Sequence, residues 1–235
     1  MNDSIAKLSR NGSRQAGRAL SHRHALERMA AKGVDVSTFI DAGAARGAWS
    51  SMTEKYWPGA HFHLLEAKEV WRRDLEKLTD RKNNYSFTMK AVSDTPGTIY
   101  FPSGGDAYGG AAFKEPGSRD DLIAVPATSI DYEVDEHALK SPFGIKLDTH
   151  GTEVDILDGA TATLKETALL CIETYNFIGQ KRFPELLLHM QSLGFRVADI
   201  AEPLFRESDA ALWQVDFYFL RAEHRIFKDY GFTKP

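Results

Sequence analysis

Short apolar runs alternate with amphipathic stretches along most of this 235-residue chain, and this alternation constrains the fold more than any other feature. Residues 144–148 are a short segment with apolar Ile145 and Leu147, which predicts a buried strand. Residues 183–193 carry large apolar side chains at helical spacing and are followed by Gly194, which predicts a helix. Alternating strands and helices predict an α/β protein with a mostly parallel sheet. Because no repeat or shift in composition divides the chain after residue 33, we predict a single domain over residues 34–235.

The same pattern predicts the individual elements. Strands are expected at 37–40, 61–67, 85–92, 98–101, 122–125, 144–148, 169–174, 195–200 and 215–220, and helices at 47–56, 70–78, 152–164 and 183–193. Residues 102–121 differ because they hold five glycines and two prolines without periodicity. A connection of that length is typical of a binding loop, so we predict a substrate loop there.

Composition restricts the class of protein. Apolar residues make up 43% of the chain, which excludes disorder, and no run of 18 apolar residues could cross a membrane. The single cysteine, Cys171, cannot form an internal disulfide, which is typical of a protein in a reducing compartment. We therefore predict a cytoplasmic protein.

The first residues differ from the rest in charge. Residues 1–32 hold seven Lys or Arg and two acids, although the whole chain has a net charge of −4. Such a segment could be a transit peptide, an arm that seeks phosphate or a solvated amphipathic helix that ends at Gly33. We predict the last of these, a basic helical arm over residues 1–33.

A strand, a small-residue turn and a helix follow one another in residues 39–50, FIDAGAARGAWS. Gly43 and Gly47 allow a ligand to approach the backbone, and the helix N-terminus presents free N–H groups. Glu66 follows at the end of the next strand, where an acid can accept hydrogen bonds from both hydroxyls of a ribose. This segment predicts a nucleoside-binding site.

Three nucleoside ligands compete for this turn, and a purely structural βα turn is the fourth alternative. A P-loop is excluded because the turn has no lysine, and a dinucleotide site is disfavoured because Asp41 stands where its first glycine is needed. Asp41 would repel a phosphate, whereas it would attract the cationic S-adenosylmethionine. We therefore predict S-adenosylmethionine as the cofactor.

At these residues the chain resembles the FkbM family of S-adenosylmethionine-dependent methyltransferases, over residues 35–221. The similar segments, in order, are the glycine turn 40–47, LEA at 65–67, AVSD at 91–94, VP at 125–126, SID at 129–131, KLDTHG at 146–151 and IE at 172–173. The most diagnostic family motif is lysine-x-aspartate-x-glutamate-glycine. His150 stands where that motif has glutamate.

The resemblance implies a Rossmann-like class I methyltransferase fold, with a seven-stranded, mostly parallel sheet, helices on both faces and an antiparallel last strand. It also implies methylation at a hydroxyl oxygen of a sugar or natural product. The residues expected to bind the cofactor are Asp41, Gly43, Ala44, Arg46, Gly47, Ser50, Glu66, Ala67, Ser93 and Asp148.

Catalysis is expected where the strand 144–148 ends, because strand tips of open α/β sheets face the ligand crevice. An unactivated hydroxyl needs a base or a metal. We predict His150 as the general base, Asp148 as the group that orients it or contacts the cofactor ammonium, and Lys146 and Glu173 as further members of the catalytic set. Asp148, His150 and Glu173 could instead hold Mg²⁺ or a transition metal, and His150 could have a structural role; we predict no metal.

Two other sets of polar residues have simpler interpretations. Lys146 lies in a buried strand and needs an acidic partner, for which Asp131 and Glu173 are the candidates. His61 and His63 alternate along one strand and could be a metal pair. Without a third ligand nearby in the sequence, we expect them to be surface residues.

We therefore predict a small-molecule O-methyltransferase with neither a membrane nor a nucleic acid as partner, and a homo-oligomer is left open. One alternative is a methyltransferase-like binding or scaffold protein that has lost catalysis, suggested by His150. The other is a nucleic-acid-directed protein that uses the basic arm, whose binding would depend on salt.

Overall fold

The computed structural model describes residues 20–103, 112–117, 120–176 and 183–228. Most of the predicted arm, residues 1–19, and the middle of the predicted substrate loop, residues 104–111, lie outside the described residues. The division into an arm and one domain stays a prediction.

Ten strands and seven helices follow one another in the described part of the chain. The strands are β1 (Thr38–Ala42), β2 (His61–Leu65), β3 (Tyr85–Thr88), β4 (Ala91–Val92), β5 (Gly97–Pro102), β6 (Leu122–Thr128), β7 (Phe143–Leu147), β8 (Thr167–Tyr175), β9 (Phe195–Phe205) and β10 (Leu212–Arg221). The helices are α1 (His22–Ala31), α2 (Ala48–Thr53), α3 (Arg72–Arg81), α4 (Ile130–Glu136), α5 (Glu153–Asp158), α6 (Thr161–Lys165) and α7 (Phe183–Ser192). Single 3₁₀ turns occur at Glu69–Trp71 and Arg225–Phe227.

The main sheet has seven strands in the order β3-β2-β1-β7-β8-β10-β9. Its strands are parallel except β10, which runs antiparallel to both β8 and β9. This arrangement confirms the predicted α/β fold with its antiparallel last strand. A second sheet of three strands, in the order β4-β6-β5, lies beside it.

Alternation along the strands divides the core between the two faces of the main sheet. Phe39 of β1 packs with Leu26 of α1 and Leu75 of α3 on one face. Ile40, the next residue, packs with Ile156 of α5 and Met190 of α7 on the other. Because successive strand side chains point to opposite faces, each face is covered by its own helices, as expected.

Two predicted elements are divided in the structure. The expected strand 85–92 is two strands, because Ala91 pairs with Ala127 of β6 in the small sheet, away from β2. The expected helix 152–164 is interrupted at Gly159, where a Cβ atom would lie 2.4 Å from the carbonyl oxygen of Asp94. Both divisions come from contacts with segments distant in sequence.

The carboxylate of Asp131 caps the N-terminus of α6, the helix that follows the interruption at Gly159. This carboxylate accepts hydrogen bonds from the backbone N–H groups of Ala162 (2.9 Å) and Thr163 (2.8 Å) at the start of α6. The prediction that Asp131 pairs with Lys146 is therefore wrong, since this carboxylate satisfies N–H groups that a helix N-terminus leaves without partners.

None of the described helices is both long and apolar enough to cross a bilayer.

Candidate functional site

The carboxyl ends of β1, β2, β7 and β8 meet at one edge of the main sheet, where a pocket opens. Backbone hydrogen bonds hold the ends of these strands together. The Asp148 N–H donates to the carbonyl of Ala42 (3.0 Å), and the Gly43 N–H donates to the carbonyl of Leu65 (3.0 Å). The pocket is lined by Gly43, Ala45, Leu65, Glu66, Ala67, Lys68, Trp71, Lys90, Ala91, Val92, Phe101, Ala112, Asp148, Thr149, His150 and Thr152.

The glycine turn after β1 needs both of its glycines because of protein contacts. Gly43 has φ +78°, and a Cβ atom there would lie 2.1 Å from the carbonyl oxygen of Asp148. Gly47 has φ +74°, and a Cβ atom there would approach Leu78 to 2.5 Å and Leu64 to 2.9 Å. Glycine at these positions therefore lets the turn pack against β7 and α3.

Glu66 ties this turn to the segment after β2. One of its carboxylate oxygens accepts a hydrogen bond from the Ala45 N–H (2.7 Å), and the other accepts one from the Lys68 N–H (2.8 Å). Burial raises the pKa of Glu66 against the lowering effect of these N–H donors. Each oxygen has a second lone pair, so the carboxylate can still accept hydrogen bonds from two hydroxyls.

The predicted cofactor residues occupy two kinds of position. Gly43, Glu66, Ala67 and Asp148 line the pocket. The other predicted residues do not line the pocket. Of these, Arg46 is exposed, and the buried ones are Asp41, Ala44, Gly47, Ser50 and Ser93. Asp41 accepts a hydrogen bond from the Ser50 hydroxyl (2.6 Å), so this pair connects β1 to α2 across the glycine turn.

Lys146 lies buried between two carboxylates, with 4% of its surface exposed. Its Nζ lies 2.8 Å from Asp148 Oδ2 and 3.8 Å from Asp41 Oδ1. Its partners are therefore these two aspartates and neither of the predicted ones, Asp131 and Glu173. Burial alone would lower the pKa of Lys146, but the two carboxylates raise it well above its usual range, so the ammonium is charged.

Asp148, His150 and Glu173 come together, with one ligating atom of each within 4.8 Å of the others. Glu173 lies 7% exposed on β8. Burial raises the pKa of Glu173, and the adjacent Asp148 carboxylate raises it further, to about 9, so the protonated form is favoured at neutral pH. Burial also acts to raise the pKa of Asp148, but Lys146 outweighs it and keeps Asp148 ionised.

The His150 ring is held through its Nδ1 atom. Nδ1 lies 2.7 Å from the Tyr175 hydroxyl and 3.3 Å from Glu173 Oε2, whereas Nε2 lies 3.9 Å from Asp148 Oδ1. Because the Tyr175 hydroxyl donates its one proton to Glu173 (3.0 Å), we assign the Nδ1 proton of His150 to the bond with Tyr175. Nε2 is then the ring nitrogen that can accept a proton.

His150 also has an unusual backbone conformation, with φ +56°. The turn is supported by Glu153, which accepts hydrogen bonds from the Gly151 N–H (2.8 Å) and the Thr149 hydroxyl (3.2 Å). A non-glycine residue in this region costs about 1 kcal/mol, and such residues cluster at functional sites.

Two residues of the site were not predicted from the sequence. Tyr175 follows Glu173 by two residues on the same strand, a spacing that places both side chains on one face. Gln214 of β10 donates to Glu173 and lies opposite Tyr175 in the antiparallel register. The first could have been found by its period-two spacing, but the second depends on strand pairing.

Next to this site, polar side chains of β10 contact His22 of α1. Asp216 lies 4% exposed on β10, opposite Glu173. His22 Nε2 lies 3.8 Å from Asp216 Oδ2, and His22 Nδ1 lies 2.8 Å from the Tyr218 hydroxyl. Burial raises the pKa of Asp216 to about 7, although the positive charge of Lys146 opposes the rise.

This pKa predicts that the stabilising effect of Asp216→Asn grows as the pH rises. Between the unfolded value of 3.8 and the folded value of about 7, the unfolded chain binds fewer protons, so raising the pH lowers wild-type stability. The amide does not ionise. Urea denaturation should show a gain of about 1 kcal/mol near pH 4.5 and of about 4 kcal/mol above pH 7. The exposed Asp80→Asn is the control, and a gain of equal size at both pH values would contradict the prediction.

His61 and His63 are not the surface pair that was expected. His63 is fully buried, and His61 is half-buried. Both rings bind the Ser86 hydroxyl, each at 2.8 Å.

The family comparison covers the segments that build this site. Residues 41–197 match the model of the methyltransferase FkbM domain, which is more than half of the chain and includes Gly43, Glu66, Asp148, His150 and Glu173. The chain belongs to the FkbM methyltransferase family. None of the curated proteins matches this FkbM member.

Solved structures resemble the FkbM chain in fold alone. The 1,6-didemethyltoxoflavin-N1-methyltransferase of Burkholderia thailandensis, solved with 1,6-didemethyltoxoflavin and S-adenosylhomocysteine, is 13% identical with a TM-score of 0.48, covering 94% of this chain and 86% of that chain. The precorrin-6y C5,15-methyltransferase of Geobacter metallireducens is 11% identical with a TM-score of 0.46, covering 83% of this chain and 87% of that chain.

Proposed function

We propose that this chain is an S-adenosylmethionine-dependent O-methyltransferase that methylates a hydroxyl group of a sugar or natural-product small molecule. The observation that carries the proposal is that one pocket, in a member of a methyltransferase family, is lined by both Glu66 and the Asp148–His150 segment. A nucleoside-binding acid and a basic ring nitrogen beside one cavity suit methyl transfer to a hydroxyl.

The pocket residues fit an adenosyl ligand with a positive charge. Glu66 can accept hydrogen bonds from two ribose hydroxyls, and Leu65, Val92 and Phe101 provide apolar walls for a purine. Asp148 is ionised and a third of its side chain is exposed, so it can bind the methionine ammonium. When bound, S-adenosylmethionine supplies an electrophilic methyl group on a cationic sulfur.

His150 would act on the acceptor. Its Nε2 removes the hydroxyl proton as the oxygen attacks, and Asp148 stabilises the imidazolium that forms, since its Oδ1 lies 3.9 Å from that nitrogen. Tyr175 and Glu173 hold the opposite side of the ring. Holding the acceptor in line with the methyl group supplies the rest of the acceleration.

One feature favours this mechanism over a metal at Asp148, His150 and Glu173. Lys146 donates to Asp148 Oδ2 at 2.8 Å, so this oxygen already has a cationic partner.

Calorimetric titration with S-adenosylmethionine tests the proposal, with NAD⁺ as the competing ligand. Glu66→Gln should weaken S-adenosylmethionine binding by about 10- to 100-fold, because hydrogen bonds to a charged acceptor contribute about 1.5–3 kcal/mol. Glu69→Gln is the matched control, since this exposed residue pairs only locally with Arg72, and it should bind like the wild type. Circular dichroism should show that both variants are folded.

Turnover then distinguishes the acceptor class. S-adenosylhomocysteine formation should occur with hydroxylated sugars or polyketides and be absent with matched amine analogues. Binding of NAD⁺ in preference to S-adenosylmethionine, or transfer to amines alone, would overturn the proposal.

A further inference from the structure

His63 of β2 converges with Glu133 of α4 and with His137, which follows Glu133 by four residues. His63 Nε2 lies 3.0 Å from Glu133 Oε2, and His137 Nε2 lies 3.2 Å from the same oxygen. The Thr88 hydroxyl lies 3.0 Å from that oxygen and 3.4 Å from His137 Nε2. None of these four residues lines the pocket described above.

From this convergence we propose that His63, Glu133 and His137, with Thr88 beside them, bind a divalent transition-metal ion of the Zn²⁺ type. Two imidazole nitrogens and a carboxylate are a ligand set typical of zinc. Mg²⁺ and Ca²⁺ prefer sites made wholly of oxygen atoms.

The separations of the donor atoms from Glu133 Oε2 are close to those around a tetrahedral ion. Ligand bonds of about 2.0–2.1 Å in a tetrahedron place neighbouring ligand atoms about 3.3–3.4 Å apart. The four separations given above run from 3.0 to 3.4 Å. The ligating atoms of His63, Glu133 and His137 all lie within 4.8 Å of one another.

Without an ion, more polar atoms point at one carboxylate oxygen of Glu133 than that oxygen has lone pairs to accept. His63, His137 and Thr88 all direct a polar atom at the one oxygen Oε2, which has about two lone-pair positions. The other oxygen accepts from the Thr128 hydroxyl at 2.6 Å. A single ion would accept the electron pairs of both imidazoles and of Oε2 together.

The surroundings of His63 are those of a metal ligand. Its Nδ1 atom is hydrogen-bonded to the Ser86 hydroxyl at 2.8 Å, which fixes the ring and directs Nε2 at Glu133. Ligating histidines characteristically use their second nitrogen in this way. Both His63 and Glu133 are buried, so neither side chain can reorient into solvent.

An ion can enter from the His137 side, where 38% of that side chain is exposed. Lys90 is the one lysine or arginine within 4.0 Å of a Glu133 carboxylate oxygen in the described part of the chain. Its Nζ lies 3.7 Å from Oε1, the oxygen that faces away from the histidines, and 35% of its side chain is exposed. Lys90 can therefore turn toward solvent when a divalent ion replaces its charge.

Metal titration of the purified, tag-free full chain tests this inference. Zn²⁺ should bind with one-to-one stoichiometry by calorimetry, and Co²⁺ should show the intense visible absorption of a tetrahedral site. His137→Ala should weaken Zn²⁺ binding at least 100-fold and abolish the rise in melting temperature that Zn²⁺ produces in the wild type. His137 is partly exposed, so this variant should fold.

His61→Ala is the matched control, because His61 shares Ser86 with His63 but, among the described residues, makes no hydrogen bond or ion pair with Glu133. It should bind Zn²⁺ like the wild type. Wild-type protein that fails to bind Zn²⁺, or His137→Ala that binds it as tightly as the wild type, would overturn the proposal. Neither measurement involves methyl transfer, so the result is independent of the proposed function.

Discussion

Replacing His150 with asparagine should lower kcat about 10²- to 10⁴-fold, the range associated with loss of a general base. Asparagine tolerates positive φ, so the backbone at φ +56° is retained. Its amide can also keep the bond to Tyr175, but it cannot remove a proton from a hydroxyl. S-adenosylhomocysteine affinity should stay close to that of the wild type, because the loss concerns only the acceptor.

Chemical rescue separates this role from a structural one. His150→Gly also accepts the positive φ and leaves space for a ring, so added imidazole should restore part of the lost turnover. The His150→Gly variant should not respond to methylated imidazoles that are too large for the space. Full turnover of His150→Asn with an acceptor found in the panel would remove His150 from the mechanism.

Replacing Lys146 with methionine should destabilise the protein by about 3–5 kcal/mol, the cost of leaving buried charge unpaired. Methionine fills similar volume, and the stem of the side chain still packs near Trp49, whose ring centroid lies 6.0 Å from Nζ. The carboxylates of Asp41 and Asp148 would then face each other without their cation. Asp41 is fully buried, so water cannot replace the lost charge.

Urea denaturation at neutral pH measures this effect, and Lys77→Met is the control because 67% of the Lys77 side chain is exposed. Adding Asp41→Asn to Lys146→Met should recover part of the loss, since one unpaired charge is removed. A double variant no more stable than the single one would show that the Lys146 stem, and not its charge, maintains stability.

Strong local patterns predicted the elements that depend on their own residues. Helix α7 follows from apolar side chains at helical spacing, with Pro184 in the first turn and Gly194 after the end at φ +81°. The buried strand β7 follows from its apolar composition. In contrast, the division of the predicted strand 85–92 depends on Ala127, and the interruption at Gly159 depends on Asp94. Both partners lie too far away in the sequence for a local pattern to include them.

The site shows the same division. Glu66, Asp148 and His150 were predicted because each stands at the end of a strand, and the ends of parallel strands meet at one edge. The partner of Lys146 was predicted wrongly. Asp41 reaches it only through the pairing of β1 with β7, which places the two residues side by side.

The order of strands, glycine turns and acids along this chain was enough to predict an open α/β sheet, membership of the FkbM family and the edge of the sheet at which the pocket lies. These features depend on periodicity and on residues close together in sequence. The proton arrangement around His150 and the meeting of His63 with Glu133 and His137 were decided by tertiary structure alone. Burial and distance set charge states and ligand geometry, and both arise only when strands and helices separated by tens of residues pack together.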